Sequence, residues 1–268
     1  MTTPLLSLRA LRIDRGSRTV LHGLDLDVEP GTVVGLIGPN GSGKTTLLSA
    51  VGAGAAVSSG SMHCAGVDLT ALRPRARARH VAFVPQQTRL GFDLTVREIV
   101  ALGTLATGAA DNRDRIVDGA LRRAGCAHLA DRPATRLSGG ECQLVHIARA
   151  LAQNAPILVM DEPTSALDLA HQITVLTLAR GHADAVRDDR GGSAVILSLH
   201  DLDLAARFCD RLVLLESGRI VAAGSPDEVL DPPRLERVYG VGVRIHHDRT
   251  TGSLRVTAFP PPPLTGES

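Results

Sequence analysis

VVGLIGPNGSGKTTLL, residues 33–48, decides the fold. Five residues, Val33–Ile37, form a short apolar run that reads as a buried strand. GPNGSGKT (38–45) then matches GxxxxGK[ST], and Thr45–Val51 reads as a helix. Strand, glycine loop and helix in that order imply an α/β protein with a parallel sheet. Gly38, Gly41 and Gly43 let the backbone curl through Pro39, Asn40 and Ser42, so that its N–H groups face inward as a concave anion site. The helix N-terminus adds its partial positive charge. Lys44 is expected to reach the β- and γ-phosphates of ATP. The Thr45 hydroxyl is expected on Mg²⁺ and Thr46 at the α-phosphate. Lys44 is also the only lysine among 29 Lys and Arg residues. A compact ammonium remains where a phosphate loop needs one.

The neighbouring sequence extends the pattern in both directions. Residues 5–13 and 19–28 read as strands, with Leu24, Leu26 and Val28 on one face and Asp25 and Asp27 on the other. Glu29-Pro30-Gly31 is a turn. Short strands are expected over 58–69 and 81–84. Thr95 and Glu98 have capping-box spacing, flanked by Leu94 and Ile99 as a staple. An amphipathic helix follows near 113–124, and Gly125 ends it. Pro156–Met160 and Ala194–Leu199 are buried-strand candidates, each followed by a helix. Residues 211–223 read as a hairpin turning at Gly218. The end, from Pro260 onward, is expected to be disordered.

The strand ILVM (157–160) runs into Asp161-Glu162. Residues just past the C-terminal end of a parallel strand line the ligand crevice. Asp161 is placed to hold Mg²⁺, and Glu162 to polarise the attacking water as a general base.

Composition narrows the alternatives. Net charge is +1 and aromatics make up 2%, so bulk electrostatics and base stacking give no reason to expect nucleic acid. Cys64, Cys126, Cys142 and Cys209 are scattered without a CxxC pair, which suggests neither a disulfide framework nor zinc. No stretch approaches the length of a membrane span. The basic run ALRPRARARH (71–80) reads as a solvated face, and His246-His247 as surface residues.

LSGGECQ (137–143) separates this chain from other phosphate-loop ATPases. With it the sequence resembles the ABC ATPase family, whose motifs run in family order across most of the chain. VPQQ (84–87) resembles the Q-loop, with Gln86 as its glutamine. LSGGECQ, LVMDEP, SALD (165–168) and LSLHD (197–201) follow. Ser138 and Glu141 have capping-box spacing at a helix start, so Ser138, Gly139 and Gly140 present a helix N-terminus to solvent. The resemblance implies that this terminus, Ser138 through Glu141, binds the γ-phosphate of ATP held by a second subunit. It implies that Gln86 serves catalysis and the metal, that His200 hydrogen-bonds the γ-phosphate, and that Asp168 crosses the dimer interface. Many members carry an aromatic before Gly16, where this chain has Arg15. A guanidinium plane can stack on adenine, and the side chain can equally point to solvent. Cys142 stands where the family often has arginine.

The fold implied is a phosphate-loop core of the ABC ATPase type with an N-terminal antiparallel β portion. Residues 1–230 form that domain, 88–153 are a helical subdomain inserted into it, and 231–268 are a short C-terminal extension. Residues 211–259 resemble the ATPases of bacterial iron–siderophore, haem and cobalamin importers. LTVREIVALG (94–103) fits the same group, although Thr104-Leu105 replaces its usual Gly-Arg. The expected partners are a second identical subunit, an integral membrane permease and, indirectly, a substrate-binding protein. The chain then sits peripherally on the cytoplasmic face of the membrane. The rival reading is a non-transport ABC ATPase acting on nucleic acid or ribosomes. About fifty residues lacking sustained heptads separate Gln86 from Leu137, which argues against the coiled coils of DNA-repair members. A subunit with regulatory work alone is disfavoured by Glu162.

Overall fold

A computed structural model describes residues 3–86, 94–106, 108, 110–165, 167–185 and 192–260. The chain opens with β1 (Leu6–Arg15), β2 (Arg18–Val28) and β3 (Val33–Ile37), which feeds α1 (Lys44–Gly52). Strands β4 (Ser59–Cys64) and β5 (Val67–Asp68), the single turn α2 (Pro74–Arg77) and β6 (Val81–Val84) come next. Helices α3 (Val96–Leu102), α4 (Arg113–Arg123) and α5 (Gly139–Ala152) follow. Then β7 (Ile157–Met160), α6 (Leu169–Ala183), β8 (Ala194–Ser198) and α7 (Leu202–Phe208) alternate. The hairpin β9 (Arg211–Glu216) and β10 (Arg219–Gly224) leads to α8 (Pro226–Val229), α9 (Pro232–Tyr239) and a final hairpin, β11 (Gly242–His247) and β12 (Leu254–Phe259).

The central sheet has the order β10-β9-β3-β8-β7-β6, parallel throughout except for β10. Side chains alternate faces along a strand, and both faces of this sheet are covered. Val34, Leu36, Val159, Ile196 and Val213 face one way, into a core shared with Leu47, Leu48 and Val51 of α1 and with β1 and β2. Val33, Ile37, Leu158, Val195 and Leu212 face the other way, into a core built with α3 to α7. That is why β3, β7 and β8 read as unbroken apolar runs.

The second sheet, β2-β1-β4-β5, is antiparallel and lies over α1. β1 and β2 meet at a two-residue turn whose Gly16 sits at φ 59°. The expected alternation holds in β2, where Leu24, Leu26 and Val28 are buried and Asp27 pairs with Arg9 at 2.8 Å.

The basic run 71–80 departs from the solvated face expected of it. Arg77 is 7% exposed, and its guanidinium donates to the carbonyls of Ala50, Val51 and Leu69. The last carbonyls of a helix lack intrahelical partners. Five donors in one planar group satisfy several at once where α1 ends.

Helices α3, α4 and α5 form the insert between β6 and β7. Its capping boxes are as the spacing predicts. Thr95 N donates to Glu98 Oε2 at 2.8 Å, and Ser138 N to Glu141 Oε2 at 2.7 Å. In α5, His146 is 4% exposed, and neither ring nitrogen has a hydrogen-bond partner among the described residues. Burial, reinforced by the Arg149 cation, pushes its pKa down from 6.5 to about 4. A depressed histidine pKa means the folded chain binds fewer protons than the unfolded one in that range, so stability rises with pH. The contribution is complete above about pH 6.5 and lost as pH falls toward 4, a swing on the order of 3 kcal/mol. His146→Leu should flatten the unfolding free energy across this window in urea titrations. An unchanged slope would show that other groups set it.

The C-terminal segment docks on the core. Leu235, Val238, Val243 and Leu254 join the buried cluster of the helical face, and Val256 N donates to Asp203 on α7 at 2.7 Å. His246 and His247 are exposed on β11. Among the described residues, no three His, Cys, Asp or Glu side chains group as metal ligands. The disorder expected beyond Pro260 concerns 261–268, outside the described residues.

Candidate nucleotide site

Strand order assembles the site. Four neighbouring parallel strands, β3, β8, β7 and β6, end at the same edge of the sheet. Each carries a predicted residue there: the glycine loop after β3, His200 after β8, Asp161 and Glu162 after β7, Gln86 after β6.

The loop has the curled backbone its glycines imply. Gly38 stands at φ 141°, and a Cβ there would lie 2.1 Å from the Leu215 carbonyl oxygen. Gly43 stands at φ 108°, where its Cβ would meet Leu21 at 2.7 Å. Both positions require glycine. Lys44 is 5% exposed, and its ammonium donates to the carbonyls of Gly38 at 2.6 Å and Pro39 at 3.0 Å. Burial lowers the Lys44 pKa, and the carboxylates of Glu162 and Asp161 oppose that shift. Ser42 Oγ is buried without a hydrogen-bond partner among the described residues, a donor free for a phosphate oxygen.

A cleft of about 350 Å³ opens over the loop. It is lined by Asn40, Gly41 and residues 43–46, together with Arg15, Arg18, Val20 and Glu162. Arg15 is thus one of the residues at the cleft. Asp161 is 2% exposed, and its Oδ1 accepts from Ser198 Oγ at 2.8 Å. The same hydroxyl accepts from Glu162 N at 2.7 Å. Ser198 thus fixes both members of the acidic pair, a role that sequence reasoning missed although LSLHD contains it.

Glu162 lies at φ 45°, in the left-handed region. Its Oε2 accepts from Gln86 Nε2 at 2.5 Å, and its Oε1 sits 2.5 Å from His200 Nε2. Gln86 and His200 therefore reach the cleft through Glu162. Gln87 lies outside the described residues. For Mg²⁺, the Thr45 hydroxyl and the Asp161 carboxylate are hard oxygen donors of the kind that ion takes, with phosphates and water completing its shell. The residues present fit it.

Ser138, Gly139, Gly140 and Glu141 do not line this cleft. They form the exposed N-terminus of α5, where Ser138 Oγ accepts from Glu141 N at 3.3 Å. Asp168 caps α6, accepting from His171 N at 2.8 Å. Ala166 of SALD is outside the described residues. A second unforeseen neighbour comes from α9: burial pushes the phenol of Tyr239, the only tyrosine, up to about 12, and the backbone of Gly38 opposes that shift.

The ABC transporter family matches residues 21–165. The chain belongs to the ABC transporter family.

This ABC ATPase is 44% identical over 247 residues to the hemin import ATP-binding protein of Pseudomonas entomophila, covering 90% of this chain and 94% of that one. It is 41% identical over 259 residues to the cobalamin import ATP-binding protein of Halobacterium salinarum, covering 95% of this chain and 64% of that longer relative. Among solved structures, a chain of a metal-chelate type ABC transporter in an inward-facing conformation superposes with a TM-score of 0.79 at 24% identity, covering 96% of this chain and 97% of that one. An ATP-binding cassette of an ABC transporter in its ADP conformation gives 0.76 at 25% identity, covering 89% and 99%. These likenesses span the whole α/β architecture described above. No helix among the described residues is long and apolar enough to cross a membrane. An ABC subunit of this kind works with a membrane permease.

Proposed function

We propose that this chain is the ATP-hydrolysing subunit of an importer for haem, cobalamin or a related metal chelate, working as a homodimer on the cytoplasmic face of the membrane. The observation that carries the ATPase chemistry is the convergence of Lys44, Thr45 and Glu162 on one cleft, with Asp161 beside them. The loop N–H groups and Lys44 bind the phosphates. Thr45 and Asp161 hold Mg²⁺, with Gln86 completing its surroundings, and the ion supplies charge neutralisation on the phosphates. Glu162 polarises the attacking water, and His200 hydrogen-bonds the γ-phosphate. For either to act, the contacts joining Glu162 to Gln86 and His200 must open when nucleotide enters. Arg15 lies against the base.

One chain supplies half of the site. Ser138–Gly140 stand apart from the cleft at the start of α5, where the Ser138 N–H is taken by Glu141 and the glycine N–H groups have no intrahelical partner, so a second copy presents this terminus to the γ-phosphate, and Asp168 faces that interface. Leu102 at the end of α3 and Leu105 in the turn just after it, 45% and 53% exposed, suit a permease contact. The direction and cargo class follow the two import relatives. A substrate-binding protein delivers the cargo outside.

The test is reconstitution with the permease and binding protein in vesicles, following uptake of haem, cobalamin and a ferric siderophore side by side. ATP-dependent uptake of one of them, lost on Lys44→Ala, is the expected result. Export of the same compounds, or ATPase activity indifferent to all three, would overturn the importer reading.

A further inference from the structure

Ala194 and Ile196 of β8 face the core shared with α1, and side chains alternate along a strand, so Ser198, the last residue of β8, falls on the same face. A third apolar residue would complete that pattern. A hydroxyl stands there instead, with 0% exposure. A polar group buried so fully is unfavourable unless it is hydrogen-bonded. Both partners of this one belong to the acidic pair.

The sense of each bond is fixed. A backbone N–H can only donate, so Ser198 Oγ accepts from Glu162 N at 2.7 Å and gives its single proton to Asp161 Oδ1 at 2.8 Å. Sheet register explains the reach. Met160 of β7 pairs with Leu197, which puts Ser198 beside Asp161. On its other side Ser198 pairs with Leu36 of β3, two residues before the glycine loop. The serine therefore stands at the seam between the phosphate loop and the acidic pair.

Glu162 needs that acceptor. Its φ of 45° is a left-handed conformation that residues other than glycine hold only where their surroundings over-determine it. Its carbonyl accepts from Ser165 Oγ at 3.1 Å, and its carboxylate meets Gln86 and His200. The two carboxylate contacts must open before Glu162 can meet water, so they do not hold the turn in the working state. Ser198 does not line the cleft, so an entering nucleotide leaves its bonds in place.

We infer that Ser198 is a positioning residue for hydrolysis: its hydroxyl keeps Glu162 in the left-handed turn that carries the carboxylate into the cleft once Gln86 and His200 have let go. This rests on the reading of Glu162 as the group that polarises the attacking water.

The test is steady-state hydrolysis and equilibrium binding of Mg-ATP by the full chain, by Ser198→Ala, by Glu162→Gln and by the double variant. Alanine removes one buried atom and adds none, so the variant should fold with a somewhat lower melting temperature. A misplacement of about 1 Å can cost about a hundredfold, so Ser198→Ala should lower turnover by about tenfold or more while KM and ATP affinity stay within about threefold. In the Glu162→Gln background the same change should alter the remaining rate by less than about threefold, because the group being aimed is already gone. A loss of turnover smaller than about tenfold in Ser198→Ala, whatever its melting temperature, overturns the inference and leaves the hydroxyl as a strand-end hydrogen bond. Parallel losses of turnover and ATP affinity sink it too, since they place the effect on nucleotide binding. A loss as large beside Glu162→Gln as in the wild type would mean that Ser198 acts through some other group. If Glu162→Gln alone hydrolyses ATP like the wild type, the reading of Glu162 fails first and takes this inference with it.

Discussion

Glu162→Gln should lower the turnover of ATP by at least about a hundredfold while its affinity for ATP stays within a few-fold, because general-base catalysis contributes about 10²–10⁴. The geometry separates the two quantities. Phosphate binding belongs to Lys44 and the loop backbone, which Glu162 does not touch. Its carboxylate is held at both oxygens by Gln86 and His200, each at 2.5 Å. Its backbone N–H is fixed by Ser198. An amide fills the same volume and keeps a hydrogen-bonding end, and glutamine meets the φ of 45° at the same cost as glutamate. What it loses is the basic oxygen. Steady-state hydrolysis beside equilibrium binding reads the split. Turnover within tenfold of wild type would mean that another group polarises the water.

Ser138→Arg should abolish ATP-driven pairing of chains, with a comparable loss of hydrolysis, and leave binding to the single chain nearly intact. Ser138 is exposed, outside the cleft, at the first turn of α5. There it offers a hydroxyl and leads two glycines whose N–H groups have no intrahelical partner. An arginine covers that terminus with bulk and a positive charge where the second chain's γ-phosphate should dock. The substitution also removes a cap worth about 1 kcal/mol. Ser138→Ala removes the cap alone and serves as the control: it should lower stability slightly yet still pair. Light scattering of both variants in a Glu162→Gln background, with and without ATP, makes the comparison. Pairing of the arginine variant would show that this terminus is not the partner's half of the site.

The sequence by itself determined the strand–loop–helix at 33–52, the capping boxes at Thr95 and Ser138, the β1–β2 alternation and the order of the motifs. Each depends on residues close in the chain: glycines at positive φ, a cap and its glutamate three apart, apolar residues at period two. The tertiary structure alone decided what these pieces do to one another. Gln86 and Glu162 are 76 residues apart, yet they touch because β6 and β7 are neighbours in the sheet. Ser198 reaches Asp161 across 37 residues because β7 pairs with β8. Arg77 is buried because the end of α1 lies beside α2 with bare carbonyls, although its run of arginines reads as a solvated face. His146 is buried on α5, which packs against α3 and α4, and Tyr239 comes near Gly38 only because the C-terminal segment folds back onto the core. Local periodicity specifies each strand and its faces. Strand order is a balance of burial over the whole chain, and it is strand order that brought Lys44, Glu162 and His200 to one edge.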